Sequence, residues 1–180
     1  MCGGRPGYGP DSGADGLEKT MTNETRWLDP DQQRNWRALL IGTQLLMDRL
    51  DSDLQRVYGL SMAEYEIMVR LSERPGRQMR MAQLADSLAH SRSRVTHTVK
   101  RMEFEGLVTR QDATDDGRGV FAVLTDKGHT LLEQAAFLHV SGVRAYLMDL
   151  VDPDDFAALG RAMNRVMDAL VSRHPEMDIR

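Results

Sequence analysis

The stretch SRSRVTHTVKRMEFE, residues 91–105, decides how this sequence is interpreted. Val95, Val99 and Met102 recur at steps of four and three residues, which is the spacing of one buried face of an α-helix. Ser91 is a favourable N-cap residue, because its side-chain oxygen can accept a hydrogen bond from a backbone amide of the first turn. The pattern therefore predicts a helix that starts at Ser91 and buries one face.

The other face of this predicted helix carries short hydrogen-bonding groups and cations, and no acidic residue occurs before Glu103. The amides and dipole at a helix N-terminus favour phosphate, and side chains of these types can reach base edges in the major groove. The face is therefore typical of a helix that reads DNA. We expect DNA contacts from these residues: Arg92, Ser93, Arg94, Thr96, His97, Lys100 and Arg101.

Position along the helix indicates a division of tasks. Arg94 can donate two hydrogen bonds to guanine, and its polar neighbours within residues 93–97 can read other base edges. Lys100 and Arg101 lie a turn or more further along the helix, where we expect contacts to phosphates. The first half of the helix would then specify sequence, and the second half would position the protein.

Two further helices are predicted between residues 61 and 88. The segment SMAE at 61–64 has the form of a capping box, in which Ser61 and Glu64 exchange hydrogen bonds at a helix start. The helix that follows should end before Pro75-Gly76, and a short helix is predicted over Met81–Leu88. A short helix, a turn and the helix at Ser91 together form a helix-turn-helix.

After Gly106 the apolar pattern changes to a period of two. Leu107–Asp112 and Val120–Thr125 are predicted as two strands, and the segment between them contains the turn signal Asp116-Gly117. The resulting β hairpin would be a wing beside the helix. Arg118 would project from it, where an arginine can enter a narrow minor groove.

Long helices are predicted on both sides of this winged unit. We expect a fold that is mainly α, with a small β hairpin within a winged helix-turn-helix and long terminal helices for dimerisation. Thr125 and Asp152-Pro153 give start signals for the last two helices. The expected organisation is a flexible tail at 1–28 and a single domain at 29–180, which comprises a winged unit at about 61–125 and dimerisation helices at about 31–58 and 126–173.

Composition is compatible with this interpretation. The chain has 180 residues and a net charge of −4, but the segment 76–110 carries seven basic and three acidic residues. A basic surface inside an acidic protein is typical of a local phosphate-binding face. No apolar run suits a membrane span or a secretory signal, so we expect a cytoplasmic protein without membrane contacts. Cys2 is the single cysteine, which rules out an intramolecular disulfide.

Several motifs in this region resemble the multiple antibiotic resistance regulator (MarR) family. They are Leu84-Ala85, SRSRVTHTVKRM at 91–102, EGLV at 105–108, DGR at 116–118 and LTDKG at 124–128, and the resemblance extends over about residues 31–173. It implies a homodimer whose first and last helices interlock, and whose two winged domains bind a pseudo-palindromic operator in double-stranded DNA. It also implies that Ser93, Arg94, Thr96 and His97 face bases, that Arg101 contacts phosphate and that Arg118 enters the minor groove.

The sequence departs from the family pattern at two positions. Ala89 stands in the turn before the DNA-reading helix, where the family often has glycine, and we expect little effect because alanine is tolerated in many turns. Gly117 stands where a second wing arginine is common, and we expect weaker binding by this wing.

Family resemblance also implies regulation by a small molecule. Many members are repressors that release DNA when a small aromatic or acidic ligand enters a cleft between the dimer helices and the winged domain. The residues expected to line such a cleft are Trp36, Tyr65, His139 and Arg144.

Other classes of function fit the sequence less well. Phosphate-loop, dinucleotide, zinc-protease, serine-hydrolase and CxxC motifs are all absent, and the five histidines are dispersed. We therefore expect no enzyme activity, no cofactor and no metal. Two alternatives keep the fold: a winged helix that contacts proteins instead of DNA, and a DNA-binding regulator that has no effector.

Overall fold

The computed structural model describes residues 25–112 and 119–171. By its internal contacts the chain divides into two units, 1–41 and 42–180, which are taken separately below. The helices are α1 (Pro30–Tyr58), α2 (Met62–Ser72), α3 (Met81–Ser87), α4 (Arg92–Phe104), α5 (Asp126–Val143) and α6 (Pro153–Val171). The strands are β1 (Gln78–Arg80), β2 (Val108–Asp112) and β3 (Val120–Leu124).

In the first unit, reciprocal hydrogen bonds fix the start of α1. The Asp29 carboxylate accepts from the Gln32 amide at 2.8 Å, and the Gln32 side-chain oxygen accepts from the Asp29 amide at 3.1 Å. This pairing satisfies two backbone donors that a helix start leaves free. Most of the predicted tail at 1–28, including Cys2, lies outside the described residues, and the single domain expected over 29–180 stays a prediction.

In the second unit, the predicted capping residues begin their helices as expected. Ser61 and Glu64 form both hydrogen bonds of a capping box, and the Ser91 side chain accepts from the Arg94 amide at 3.3 Å. Thr125 Oγ1 accepts from the Gly128 amide at 3.0 Å. A Cβ atom at Gly128 would lie 2.2 Å from the Leu107 carbonyl oxygen. Only glycine therefore allows α5 to start this close to the chain leaving α4.

The winged unit contains one strand more than the sequence predicted. Strand β3 lies between β1 and β2, antiparallel to both, with Val108 opposite Leu124 and Met79 opposite Ala122. Strand β1 has only three residues, which is too short for an alternating pattern to be detectable in sequence. The expected hairpin thus supplies two strands of a three-stranded sheet.

The core of the second unit lies among the second half of α1, α2, α3, α4, the sheet and α5. The helix-turn-helix and the wing share it, because α4 contributes apolar side chains to the same cluster as β2 and β3. Its fully buried members include Leu54, Leu60, Ile67, Met68, Leu71, Leu84, Val95, Val99, Met102, Val108 and Ala122. The core therefore fixes α4 against the rest of the winged unit.

The helix that Thr125 was predicted to start changes its geometry near its end. Helix α5 stops at Val143 and continues as a π-helical turn over Arg144–Met148. Within this turn the Tyr146 hydroxyl donates to the Asp53 carboxylate of α1 at 2.7 Å. Hydrogen bonds from Tyr146 and then Arg56 lower the pKa of Asp53. The π-helical turn thus places the Tyr146 hydroxyl within hydrogen-bond distance of Asp53, and this bond connects the end of α5 to α1.

Helix α6 presents an apolar stripe whose side chains stay 39–57% exposed in the described part of the chain. Its exposed apolar residues recur at steps of three and four: Leu159, Met163, Val166 and Leu170. Such a continuous exposed stripe is typical of a protein interface. The described helices include none that is long and apolar enough to cross a membrane.

The turn before α4 corrects one expectation. Ala89 has a φ of 51°, in the left-handed region where a Cβ atom is unfavourable and glycine is not. We expected Ala89 to have little effect, but at this φ it costs the turn conformational energy that a glycine would not.

We predict that Ala89→Gly stabilises the protein by up to about 1 kcal/mol, because glycine removes the steric cost of the positive φ. Ala85→Gly is the control: it places glycine inside α3 and removes a buried methyl group, so it should lower stability by at least about 1 kcal/mol. Urea unfolding measures both. A loss of stability in both variants would contradict this account of the turn.

We predict that Met163→Asp converts the dimer to a monomer, because it places a charge in the centre of the α6 stripe. Asn164→Asp adds the same charge at the next position, which is already polar, and should leave the dimer intact. Gel filtration with light scattering measures both. If Met163→Asp stays dimeric at micromolar concentration, α6 is not the interface.

Candidate nucleic-acid interface

Helix α4 has one buried and one open face. Val95, Val99 and Met102 are at most 1% exposed, and they anchor the helix on the core. The residues predicted to contact DNA from this helix are all exposed: Arg92, Ser93, Arg94, Thr96, His97, Lys100 and Arg101. The structure therefore brings these seven together on one open surface, and acidic side chains enter it only at the C-terminal end of α4.

Local hydrogen bonds order the N-terminal half of this surface. Thr96 Oγ1 donates to the Arg92 carbonyl at 2.8 Å, and the hydroxyl oxygens of Ser91 and Ser93 lie 3.3 Å apart. Because the Thr96 hydroxyl proton is used inside the helix, its oxygen remains available to accept from a base amine. Thr96 is thereby suited to accept rather than to donate.

The wing is fixed to α4 by an ion pair. Arg110 on β2 lies 2.7 Å from Glu103 near the end of α4, and its hydrogen bond lowers the pKa of that glutamate. Lys127 Nζ donates to the Glu105 carbonyl at 2.6 Å, so the C-terminal end of α4 is held from two elements. Residues 113–118 lie outside the described residues. They include Arg118, for which a minor-groove contact was predicted, and Gly117, for which weaker binding by the wing was predicted.

An ion pair between a buried carboxylate and an exposed guanidinium connects α2 to α4. The Glu64 side chain is only 2% exposed, and its Oε1 lies 2.6 Å from Nε of Arg101, whose side chain is 56% exposed. Arg101 Nη2 also donates to Ser61 Oγ at 3.2 Å. The other Glu64 oxygen accepts from the Ser61 amide at 2.9 Å and from its hydroxyl at 2.7 Å. Glu64 therefore caps α2 and holds Arg101 at once.

These contacts keep Glu64 charged despite its burial. Burial by itself would raise its pKa, but the hydrogen bonds from Arg101 and Ser61 outweigh that effect, and the pKa of Glu64 is lowered overall. A charged carboxylate inside the protein needs Arg101 in place. The orientation of α4 relative to α2 is therefore set by electrostatics as well as by apolar packing.

The link between Glu64 and Arg101 was not predicted from the sequence. The capping box identified Glu64 as a helix-start residue, and the helix face identified Arg101 as a phosphate contact. Their sequence separation of 37 residues leaves no local pattern that joins them. The sequence did contain one signal for a buried ion pair: the charged residue Glu64 lies between Met62 and Tyr65, which are both buried.

A cavity of about 560 Å³ lies in the second unit, between α2, α5 and the second half of α1. Tyr65 and His139, which were predicted to line a ligand cleft, both line it. Arg144 is not among the described lining residues and pairs with Asp149 at 3.0 Å. Trp36 belongs to the first unit, beside Trp27 and Arg37.

Tyr65 and His139 contact each other at the cavity wall. Their ring centroids are 4.6 Å apart, with the ring planes tilted by 36°. His139 Nδ1 is buried, and none of the described residues gives it a hydrogen-bond partner. Burial lowers the pKa of His139 and raises that of Tyr65, so both side chains are uncharged at neutral pH. Within the described residues, the buried nitrogen of His139 is therefore a polar atom without a hydrogen-bond partner, although another part of this side chain lines the cavity.

We predict that Glu64→Gln lowers the free energy of unfolding by about 1.5–3 kcal/mol at neutral pH, the usual worth of a hydrogen bond to a charged group. The folded-state pKa of Glu64 is depressed, so its stabilisation is present above the unfolded pKa and is lost as pH falls through the folded pKa. The difference in unfolding free energy between the wild type and Glu64→Gln should therefore become smaller as the pH falls.

Urea unfolding across the acid range tests this expectation. Glu133→Gln is the matched control, because it removes the same charge from an exposed position on α5 and should change stability by less than about 0.5 kcal/mol. If the difference in unfolding free energy between wild type and Glu64→Gln stays constant with pH, Glu64 is not charged in the folded protein.

Comparison with known proteins places this fold in a family. The MarR family model matches residues 60–120. AbsC, a MarR family transcriptional regulator from Streptomyces coelicolor, is 41% identical, with a TM-score of 0.78 over 82% of this chain and 99% of AbsC.

Sco3205, a MarR family regulator from the same organism solved in complex with DNA, is 40% identical, with a TM-score of 0.79 over 83% of this chain and 93% of Sco3205. Wild-type MarR from E. coli, at 21% identity and a TM-score of 0.60 over 73% of this chain and 95% of that one, shares the fold. The search of curated proteins gave no match. With two relatives at this level of identity over most of its length, the chain belongs to the MarR family of transcriptional regulators, which are dimeric, non-enzymatic DNA-binding proteins.

Proposed function

We propose that this protein is a homodimeric repressor that reads a pseudo-palindromic operator by inserting α4 of each protomer into the major groove. The observation that carries the proposal is the open face of α4, which is acid-free from residue 91 to 102 while its opposite face is buried. In such dimers the two recognition helices lie one turn of B-DNA apart, about 34–36 Å.

The residues of α4 divide the work of recognition. Arg94 reads guanine through two donated hydrogen bonds, and Ser93, Thr96 and His97 read neighbouring base edges. Arg92 lies in the first turn, where it supports the contact of the helix N-terminus with the DNA backbone. The exposure of all five side chains supports these roles.

Three cations position the protein on the DNA backbone. Lys100 is exposed beyond the base-reading half of α4, at the distance along the helix that suits a phosphate. Arg101 uses Nε and Nη2 inside the protein, and a guanidinium has five N–H donors, so it offers its outer donors to a phosphate from a fixed position. Arg118 of the wing enters the minor groove in this proposal.

Regulation of this repressor is proposed to act through the cavity beside α2. A small, largely apolar molecule that binds in the cavity against Tyr65 and His139 would contact one face of α2, and the opposite side of that helix holds Arg101 through Glu64. Displacement of α2 would thereby shift α4 and release the operator. Ligand contacts by Trp36 and Arg144 remain predictions.

The two alternatives make different predictions about binding. A winged helix that contacts proteins would show no specific DNA complex, and it would not explain why seven DNA-compatible side chains share one face of α4. A regulator without an effector would bind its operator with an affinity that no cavity ligand changes. The cavity of about 560 Å³ is of the size that small-molecule sites have, which favours the regulated form.

We predict that Arg94→Ala weakens operator binding by about 1–3 kcal/mol and leaves nonspecific binding nearly unchanged, because it removes a base contact. Lys100→Ala is the matched control: it should weaken operator and nonspecific DNA alike and reduce the slope of log affinity against log salt by about one.

Fluorescence anisotropy with operator and scrambled duplexes over a salt series measures these effects. An equal loss on both duplexes for Arg94→Ala would reassign that residue to the backbone. If wild type forms no specific complex at moderate salt across upstream genomic fragments, the proposed function is wrong.

A further inference from the structure

A groove of about 360 Å³ lies beside the open face of α4, between that helix, the start of α3 and the strands of the wing. Arg80 and Arg110 line it together with Thr96, and none of the described lining residues is acidic. Thr96 also belongs to the base-reading half of α4. The groove is therefore continuous with the surface proposed to contact DNA.

The position of this groove matches the path of one DNA backbone strand in the proposed complex. Helix α4 enters the major groove, and the wing enters a minor groove beside it. A sugar-phosphate strand separates two neighbouring grooves of a duplex, so this strand has to pass between α4 and the wing. The surface that it meets there is the groove with Arg80 and Arg110.

Arg80 has a position and a chemistry that suit a phosphate. It occupies the N-cap position of α3, yet its side chain makes no capping hydrogen bond, whereas Ser, Thr, Asp or Asn would make one. Its guanidinium carbon lies 5.2 Å from the centroid of the Phe121 ring, the residue opposite it in the β1–β3 pair. This ring holds the guanidinium without opposing its charge. A guanidinium has five N–H donors, and two of them can hold one phosphate.

Arg110 supports the groove in a different way. Strands β1 and β2 lie on either side of β3, so Arg80 and Arg110 reach the groove from two strands. Nε and Nη2 of Arg110 lie 2.8 and 2.7 Å from the Glu103 carboxylate, which neutralises much of the charge of Arg110. Arg110 therefore fixes a wall of the groove against α4, and Arg80 is the residue to which we assign the phosphate.

We propose that Arg80 holds a phosphate of the backbone strand that passes between α4 and the wing, and thereby fixes the position of the protein along the duplex. Arg80 was not among the residues expected to contact DNA, because it lies outside both α4 and the turn of the wing. The inference rests on the proposed insertion of α4 into the major groove. A phosphate contact carries no sequence information, so its loss weakens binding to operator and unrelated DNA alike.

Anisotropy titrations of the full-length protein with operator and scrambled duplexes over a salt series test this contact. Arg80→Gln should weaken binding to both duplexes about tenfold at moderate salt and lower the slope of log affinity against log salt by about one. Arg77→Gln is the matched control, because it removes the same charge just before β1, where Arg77 pairs with Asp126 at 3.1 Å. It should change either affinity by less than about twofold.

Ethylation interference locates the phosphate on the operator. In the wild type, ethylation of a phosphate between the contacted major groove and the adjacent minor groove should block binding, and Arg80→Gln should lose this interference. Arg80→Lys keeps the charge and should retain both the interference and most of the salt slope. The wild-type measurement needs no variant, so absence of interference at these phosphates would overturn the proposal even if Arg80→Gln fails to fold.

Three results of the titrations would also overturn the assignment of Arg80. They are unchanged binding by a folded Arg80→Gln, a loss on the operator alone, which would make Arg80 a base contact, and an equal loss in Arg77→Gln, which would reduce the effect to net charge. A wild type that binds both duplexes equally would contradict the proposed sequence-specific repressor, and the salt slope on the scrambled duplex would then decide the role of Arg80 separately. A wild type that binds neither duplex would overturn both proposals.

Discussion

The contact between the Glu64 carboxylate and the Arg101 guanidinium, at 2.6 Å, is the constraint on which the DNA-binding surface depends. Glu64 is buried and charged, so it must keep Arg101, and Arg101 lies on the helix that presents the base-reading side chains. Apolar packing of Val95, Val99 and Met102 fixes the depth of α4 in the core. The ion pair also attaches α4 to the first turn of α2 at Glu64. The Ser61 hydroxyl forms hydrogen bonds with both Glu64 and Arg101.

Helix α2 consequently has two roles. Its Met62, Tyr65 and Val69 side chains line the cavity, while Glu64, from a different face, holds α4. One short helix thus separates a space large enough for a small molecule from the surface proposed to read DNA. A cavity ligand with different affinity for two positions of α2 would shift the orientation of α4, because the ion pair leaves little freedom between the two helices.

Features specified by neighbouring residues were predictable, and features formed between distant residues were not. Ser61, Ser91 and Thr125 cap the helices that their local sequence indicated, and the buried face of α4 followed from the spacing of Val95 and Val99. Strand β1 is fixed by its pairing with β3, and the pairs Glu64–Arg101 and Asp53–Tyr146 join residues far apart in sequence. Tyr65 and His139 were placed together by family resemblance, whereas the contact between their rings follows from the packing of α2 against α5.

The central claim is that two copies of α4 read successive major grooves of one operator. Hydroxyl-radical footprinting, combined with methylation interference at guanine N7, measures this most directly. We predict two protected half-sites about 34–36 Å apart on one face of the duplex, with interference at guanines that disappears in Arg94→Ala. Uniform protection without interference, or a single protected half-site, would contradict the account.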